Sequence, residues 1–140
     1  MTMLVVDASV AVKWFLPEIH SQAAERILKS GRKLLAPDLI WAEVGNALWK
    51  KVRRDEILPE EANGILRDFL RFPVQTYESK ILLPTAWDLA IQSDTSVYDA
   101  LYLSLAIGQN CPLVTADRKF YETFKKSSEL WLVWVEDIIC

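Results

Sequence analysis

The chain has 140 residues, of which 51% are hydrophobic and 25% charged, so its composition excludes a disordered polar segment and predicts one globular domain over residues 1–140. No apolar run reaches the roughly 18–20 residues of a membrane span, and Asp7 interrupts the N-terminus too early for a signal peptide; we therefore expect a cytoplasmic protein. The formal net charge of −3 argues against a generally basic nucleic-acid-binding surface, and the two cysteines, Cys111 and Cys140, lack metal-site spacing.

The apolar periodicity predicts alternating strands and helices. In chain order they are a strand at Leu4–Val6, helices at Ser9–Phe15 and Ile19–Ser30, a strand at Lys33–Ala36, helices at Pro37–Arg54 and Glu60–Arg71, a strand at Val74–Tyr77, helices at Lys80–Gln92 and Tyr98–Ile107, a strand at Pro112–Thr115, a helix at Arg118–Lys126 and a strand at Trp131–Val135. The pattern predicts a three-layer α/β/α sandwich with a central, mainly parallel sheet of about five strands. Ligands of such sheets bind beyond the carboxyl ends of the strands.

Three residues are expected to shape helix starts. Pro37 and Pro84 are placed near the first turns of helices, where the missing proline N–H is tolerated. Asp38 is expected to cap the long helix or to favour its dipole.

Four acidic residues stand out by their positions. Asp7 and Asp117 each follow a predicted strand and precede a helix, while Asp99 lies three residues after Ser96 at a helix start, so each of these three has a capping explanation. Glu43 lies in the middle of a mostly apolar helix, where a charge needs a partner. Taken together, four carboxylates on separate elements predict a site for a hard divalent cation.

The remaining polar residues leave alternatives open. His20 is expected to take no part in chemistry, and no Ser-His-Asp set or phosphate-binding glycine loop is present. Without the four site acids the charge is 16 − 15 = +1, so the rest of the surface is not acidic. Two basic clusters are either tracks for an RNA backbone or solvated helix faces: Lys50, Lys51, Arg53 and Arg54, and Arg118, Lys119, Lys125 and Lys126.

Two tryptophans lie eight residues apart on the helix that carries Glu43. Trp41 and Trp49 therefore lie near one stripe of that helix. This stripe either packs in the core or forms a surface for a second copy or a partner protein.

The sequence around the four acids resembles the PIN-domain ribonucleases of the VapC type, the toxins of type II toxin–antitoxin systems. Residues 5–15, Val-Val-Asp-Ala-Ser-Val-Ala-Val-Lys-Trp-Phe, look like the opening motif of that family. Later blocks follow in the family's order: Pro37-Asp38-Leu39 through Glu43 to Asn46-Ala47-Leu48, Ser96 to Leu103, and Leu113 to Asp117. The resemblance covers nearly the whole chain.

The resemblance implies a metal-dependent endoribonuclease that hydrolyses RNA phosphodiester bonds with a metal-activated water. It implies a catalytic, metal-binding tetrad of Asp7, Glu43, Asp99 and Asp117 that holds Mg²⁺ or Mn²⁺. Supporting residues would be Ser9, Asn46 and Thr115. The implied partners are an RNA substrate, a cognate antitoxin protein and a second copy in a homodimer. Asp94 is an additional acid outside the family pattern.

Two other classes of protein compete with this interpretation. A non-catalytic PIN-like domain that binds protein or RNA would keep the same acids for structure or for a partner. A phosphotransfer receiver domain would need a second acid beside the one that ends the first strand, and Asp7 has no acidic neighbour. We therefore favour the ribonuclease and keep the binding domain as the alternative.

Overall fold

The central sheet of this computed structural model, which describes residues 2–125 and 131–138, contains five short strands. They are β1 Met3–Val6, β2 Lys33–Pro37, β3 Val74–Tyr77, β4 Leu113–Thr115 and β5 Leu132–Trp134. Their order is β3-β2-β1-β4-β5, and every neighbouring pair is parallel. The predicted parallel sheet of about five strands is confirmed.

Seven α-helices connect these strands within the described residues. They are α1 Ala8–Val12, α2 Ser21–Lys29, α3 Leu39–Arg53, α4 Pro59–Leu70, α5 Ser79–Ser93, α6 Val97–Gln109 and α7 Arg118–Phe124. Because crossovers between parallel strands are right-handed, the helices before β3 cover one face of the sheet and α5 and α6 cover the other. This is the predicted three-layer α/β/α arrangement.

The winding of the sheet reverses at β1. From β1 the chain goes outward to β2 and β3, then returns to place β4 on the other side of β1. The register pairs Val5 with Leu113 and Val6 with Val114, so β1 and β4 end side by side. The residues that follow these two strands therefore lie at the point where ligands bind in open parallel sheets.

Helix α6 is the central helix of the second layer. All its residues from Ala100 to Ala106 are buried, and it packs against α5 and against β1, β2 and β4. This confirms the prediction of a buried helix, because a segment that is apolar on all sides has no face suited to water.

The two tryptophans of α3 have different surroundings. Trp41 is half-buried and packs on Phe69 of α4, with 5.0 Å between ring centroids. Trp49 is 55% exposed, and the guanidinium of Arg53 lies 5.2 Å from its ring centroid. Core packing is therefore correct for Trp41 and wrong for Trp49.

Three details differ from the sequence predictions. Pro37 is the last residue of β2 and pairs with Tyr77, so it does not open α3. Asp38 makes no capping hydrogen bond to α3; its carboxylate accepts hydrogen bonds from the backbone and hydroxyl of Ser79 at the start of α5. Pro84 is the sixth residue of α5, within its second turn rather than its first.

Two predicted features lie partly or wholly outside the described residues. The last helix ends at Phe124, and its predicted final residue, Lys126, is not among the residues described. The same holds for Cys140, whereas Cys111 is a buried free thiol. Among the helices of residues 2–125 and 131–138, none combines the length and apolar character that a transmembrane span requires.

Candidate functional site

Asp7 is buried where β1 ends, with only 5% of its surface exposed. One carboxylate oxygen accepts hydrogen bonds from the Ser9 hydroxyl at 2.5 Å and from the Val10 backbone N–H at 3.2 Å. The other accepts a short hydrogen bond from the Thr115 hydroxyl. Asp7 is thus the N-cap of α1, as its position in the sequence allowed, and the orientation of its carboxylate is fixed on both sides.

The pKa of Asp7 is raised to about 6, chiefly because burial penalises the charged form. The three hydrogen bonds oppose that effect, whereas the charge of Asp117 adds to it. Its carboxylate makes no ion pair with any residue in 2–125 or 131–138. A buried carboxylate without a cationic partner is the unusual feature of this position.

Asp117 lies two residues beyond β4 and caps α7. Its carboxylate accepts a hydrogen bond from the Phe120 N–H at 3.2 Å, and its own N–H donates to the Thr115 hydroxyl oxygen at 3.0 Å. Thr115 therefore joins the two acids, because it accepts from Asp117 and donates to Asp7. Ser9 makes a parallel connection by accepting from the Ala116 N–H at 3.0 Å.

Asp99 is in the first turn of α6. Its backbone N–H donates to the Ser96 hydroxyl at 3.1 Å, so Ser96 is the cap that the sequence spacing predicted. Burial and then the charge of Asp117 raise the pKa of Asp99, while a side-chain hydrogen bond with Ser96 and the charge of Lys119 lower it. The carboxylate makes no ion pair with any residue in 2–125 or 131–138.

Glu43, the mid-helix acid, has an unexpected partner. The hydroxyl of Tyr102 on α6 donates to a Glu43 carboxylate oxygen at 2.6 Å, and Tyr102 is only 2% exposed. Burial and then the charge of Asp99 raise the pKa of Glu43, while burial and the charge of Glu43 raise that of Tyr102. The sequence reasoning missed Tyr102; the available signal was a polar hydroxyl within an otherwise buried helix, which needs a partner.

A groove of about 640 Å³ opens at this edge of the sheet. Its lining includes Ser9, Glu43, Asn46 and Asp117. Asn46 is exposed in the groove and makes no hydrogen bond with any of the four acids. Of the three predicted supporting residues, Ser9 and Thr115 therefore contact Asp7, whereas Asn46 contributes to the groove wall.

The four carboxylates form a chain of mutual repulsion. The charge of Asp117 raises the pKa of Asp7 and of Asp99, and the charge of Asp99 raises that of Glu43. No described residue forms an ion pair with any of the four. Such a cluster attracts a cation, because a bound positive charge would relieve both the burial cost and the repulsion.

The donor set is all oxygen, which suits a hard cation. In the described parts of the chain, no three His, Cys, Asp or Glu side chains converge closely enough to form a complete metal cage. Mg²⁺ binds oxygen ligands and keeps several of its own waters, so it does not require a complete cage of protein ligands. The chemistry of the residues present is therefore compatible with such an ion.

His20 and Asp94 lie outside this site. His20 Nδ1 lies 2.7 Å from a carboxylate oxygen of Glu136, and neither residue lines the groove. Asp94 is an exposed residue in the left-handed conformation that ends α5, with φ of 50°.

Comparisons with known proteins match most of the chain. The model of the PIN domain family matches residues 4–126. The chain is 36% identical over 123 residues to ribonuclease VapC3 of Pyrobaculum aerophilum, and the match covers 86% of this chain and 94% of that protein.

Two solved structures have a similar fold. The crystal structure of PAE2754 from Pyrobaculum aerophilum is similar with a TM-score of 0.73 and 25% identity, covering 96% of this chain and 85% of that one. A toxin–antitoxin complex from Klebsiella pneumoniae is similar with a TM-score of 0.69 and 13% identity over 96% of this chain and 99% of that one, which shows the fold alone.

Proposed function

This chain belongs to the PIN-domain family and, within it, to the VapC-type ribonucleases, and from that premise we propose that it is a toxin endoribonuclease that cleaves RNA at the four acids. The observation that carries the proposal is a set of four acids linked by charge repulsion, with Asp7 and Asp117 at the ends of β1 and β4, none of which forms an ion pair among the described residues. The charge of Lys119 lowers the pKa of Asp99, but burial and the charge of Asp117 outweigh it. Asp7, Asp99 and Glu43 have raised pKa values, and carboxylates with perturbed pKa values and no ion pair in a cleft indicate a functional site.

We propose that Asp7, Asp99 and Asp117, with Glu43, hold Mg²⁺ or Mn²⁺. When bound, such an ion supplies positive charge to a phosphodiester undergoing hydrolysis and lowers the pKa of water. The protein's part is to keep the acids ionised and oriented. Ser9 and Thr115 each hold one oxygen of Asp7, and Tyr102 holds one oxygen of Glu43.

The groove is the proposed binding surface for the RNA. It contains the acidic end, with Glu43 and Asp117, and a series of basic side chains further along α3. With a metal ion bound, the acidic end would present positive charge to the RNA backbone. The basic side chains would attract the RNA phosphates further along the groove. A net charge of −3 is therefore compatible with RNA binding, because the acids are concentrated where a cation would neutralise them.

The test is RNA cleavage by the purified chain with Mg²⁺, with Mn²⁺ and with a chelator, alongside Asp99→Asn. We expect cleavage that requires the metal and that falls strongly in Asp99→Asn. The matched control is Asp94→Asn, which removes an exposed acid five residues away and places asparagine at a left-handed position that it tolerates. Metal-independent cleavage, or equal loss in both variants, would contradict the proposal.

The alternative, a PIN-like domain that only binds RNA or protein, predicts a different outcome of the same assay. Such a protein would bind RNA without cleaving it under any metal condition. The unpaired carboxylates favour the enzyme, because a binding domain gains nothing from keeping repelling anions next to a polyanion.

We further propose that a cognate antitoxin protein blocks the groove and that both proteins meet in the cytoplasm, where the RNA substrate is present. The solved toxin–antitoxin complex of similar fold supports a partner of that kind. The check is whether a small protein encoded beside this chain co-purifies with it and stops cleavage. Cleavage that is unaffected by that protein would contradict the proposal.

A homodimer is also proposed, with the outer face of α5 as its interface. Ile81, Trp87 and Ile91 of this helix are exposed, whereas Ala86 and Ala90 are buried. Sedimentation should give a dimer for the parent and a monomer for Trp87→Glu, because a charge in a buried apolar interface is costly. A parent that sediments as a monomer would contradict this proposal.

A further inference from the structure

The groove has a second end that the four acids do not explain. Beyond Glu43 and Asn46, its lining continues to four basic side chains, Lys13, Lys50, Lys51 and Arg54. Lys50 and Lys51 belong to the last turn of α3, and Arg54 is its C-cap residue. They form one continuous surface with the proposed catalytic end, because the same cavity contacts both.

Two of these cations are held by one carboxylate. One oxygen of Glu18 lies 3.2 Å from the Lys13 ammonium, and the other lies 2.9 Å from the Lys51 ammonium. Glu56 lies 3.8 Å from Lys51 as well. Glu18 thus joins the segment after α1 to α3 and keeps both lysines at the groove wall.

The other two cations have no such partner. Lys50 and Arg54 are exposed, and neither makes an ion pair with any residue in 2–125 or 131–138. They are four residues apart on a helix, so they are neighbours on one face, where like charges repel and destabilise the helix slightly. An anion bound between them would remove that repulsion.

Helix α3 arranges these groups along a line. Glu43, Lys50 and Arg54 are seven and then four residues apart, which places them on the same side of the helix. At a rise of 1.5 Å per residue, Lys50 and Arg54 lie about 10 and 16 Å from Glu43 along the helix axis. If the scissile phosphate of an RNA strand lies at the four acids, another phosphate of the same RNA strand would lie beside Lys50 and Arg54.

We propose that Lys50 and Arg54 form a subsite for a backbone phosphate of the RNA, flanked by Lys51 in the position that Glu18 fixes. This inference rests on the proposed ribonuclease function and names which part of the substrate the groove contacts. The contact is to phosphate and not to a base, so it contributes affinity for RNA of any sequence.

The test measures binding separately from cleavage. A labelled, unstructured RNA oligonucleotide is titrated in chelator at several salt concentrations, with fluorescence anisotropy as the readout. Lys50→Gln/Arg54→Gln should bind about tenfold more weakly at low salt, and the slope of log affinity against log salt should fall by about 0.7, the value for one phosphate contact on a single strand. The charge-retaining Lys50→Arg/Arg54→Lys should keep the slope of the parent.

The matched control is Lys29→Gln/Lys33→Gln. This variant also removes two positive charges, one at the end of α2 and one at the start of β2. The start of β2 is at the opposite end of the parallel strands from the acids. We expect the control to retain the slope and affinity of the parent. A thermal melt of each variant checks that it is folded.

The outcomes separate this inference from the proposed function. If the parent cleaves RNA with metal but both double glutamine variants lower the slope equally, or neither does, the subsite is wrong and the function stands. A parent that does not bind RNA also overturns the subsite. If the Lys50/Arg54 pair determines the slope while no metal condition gives cleavage, the subsite stands and the catalytic proposal fails.

Discussion

The carboxyl groups at the two ends of the groove have pKa values shifted in opposite directions. At the acidic end, burial and mutual repulsion raise the pKa values of Asp7, Asp99 and Glu43. At the basic end, the hydrogen bonds and charges of Lys51 and Lys13 outweigh burial and lower the pKa of Glu18. The carboxylate at the basic end forms ion pairs with two lysines, whereas those at the acidic end form no ion pair with the described residues.

This difference has an energetic consequence. A carboxylate with a lowered pKa stabilises the folded state at neutral pH, and one with a raised pKa destabilises it. Glu18 therefore stabilises the folded state, whereas the acids at the other end of the groove destabilise it. A bound cation would offset that destabilisation. The direction of the pKa shift thus distinguishes Glu18, a structural acid, from the acids proposed to bind a cation.

The largest expected effect is on catalysis at the acidic end. Asp117→Asn should lower the rate of RNA cleavage by more than about 100-fold, because loss of groups that merely orient ligands already costs about 10–100-fold. Asparagine is also a good N-cap, so α7 should keep its start and the variant its fold. The control is Glu136→Gln, an exposed acid whose pKa is lowered by His20 and which is absent from the groove lining. Similar rates for both variants would remove the distinction between the two kinds of acid.

The next effect is a pH dependence of stability in metal-free protein. Asp7 has a pKa of about 6 in the folded chain and an ordinary value of 3.8, so the folded state binds more protons between these values. Stability should therefore rise as the pH falls from about 7 towards 4, with Asp7 contributing up to about 3 kcal/mol. Denaturant unfolding in chelator at several pH values measures this, and Asp7→Asn should lose most of the rise. A stability that falls across this range in both proteins would contradict the buried, unpaired state of Asp7.

A subtler change is removal of the hydroxyl that joins Asp7 and Asp117. Thr115→Val keeps the shape of the side chain but loses both hydrogen bonds, so we expect metal affinity to fall by about 10–100-fold. Ser104→Ala is the control, because its buried hydroxyl donates to the Leu82 carbonyl, outside the acid cluster. Calorimetric titration with Mn²⁺ compares them. Equal affinity in Thr115→Val and the parent would mean that orientation of Asp7 does not matter.

The smallest effect belongs to the paired end. Glu18→Gln should lower the free energy of unfolding at pH 7 by about 0.5–1 kcal/mol, because the ion pairs are partly solvated. The stabilising contribution of Glu18 is present above its ordinary pKa of 4.5 and is lost as the pH falls through its lowered value, so parent and variant should converge in acid. Denaturant unfolding at pH 7 and pH 3 measures this difference. A difference that grows in acid would contradict the pairing.

Local sequence patterns were sufficient to predict most of the fold. The strand at Val74–Tyr77 has the predicted bounds, and other boundaries differ by a few residues, because apolar periodicity and helix-ending residues act within one element. Pro37 was misplaced because the fixed φ of proline is compatible with extended backbone, as at the end of β2, as well as with a first helical turn. Asp38 was misassigned because its true partner, Ser79, is 41 residues away.

The candidate site was only partly predictable for the same reason. Asp7, Asp99 and Asp117 each had a capping explanation, so they and Glu43 were predictable only as a set of four carboxylates on separate elements. The contact of Tyr102 with Glu43 spans 59 residues, and the double ion pair of Glu18 depends on how α1 meets α3. Tertiary packing decides which carboxylates are paired, and no local spacing encodes it.

The central claim is that the acidic end of the groove, and not the basic end, is a cation site. Calorimetric titration of Mn²⁺ into the RNA-free parent, Asp99→Asn and Glu18→Gln tests it most directly. We predict that the parent and Glu18→Gln bind Mn²⁺ with similar affinity and that Asp99→Asn binds it at least about tenfold more weakly. Equal Mn²⁺ affinity in the parent and Asp99→Asn, or loss of binding in Glu18→Gln alone, would contradict the account.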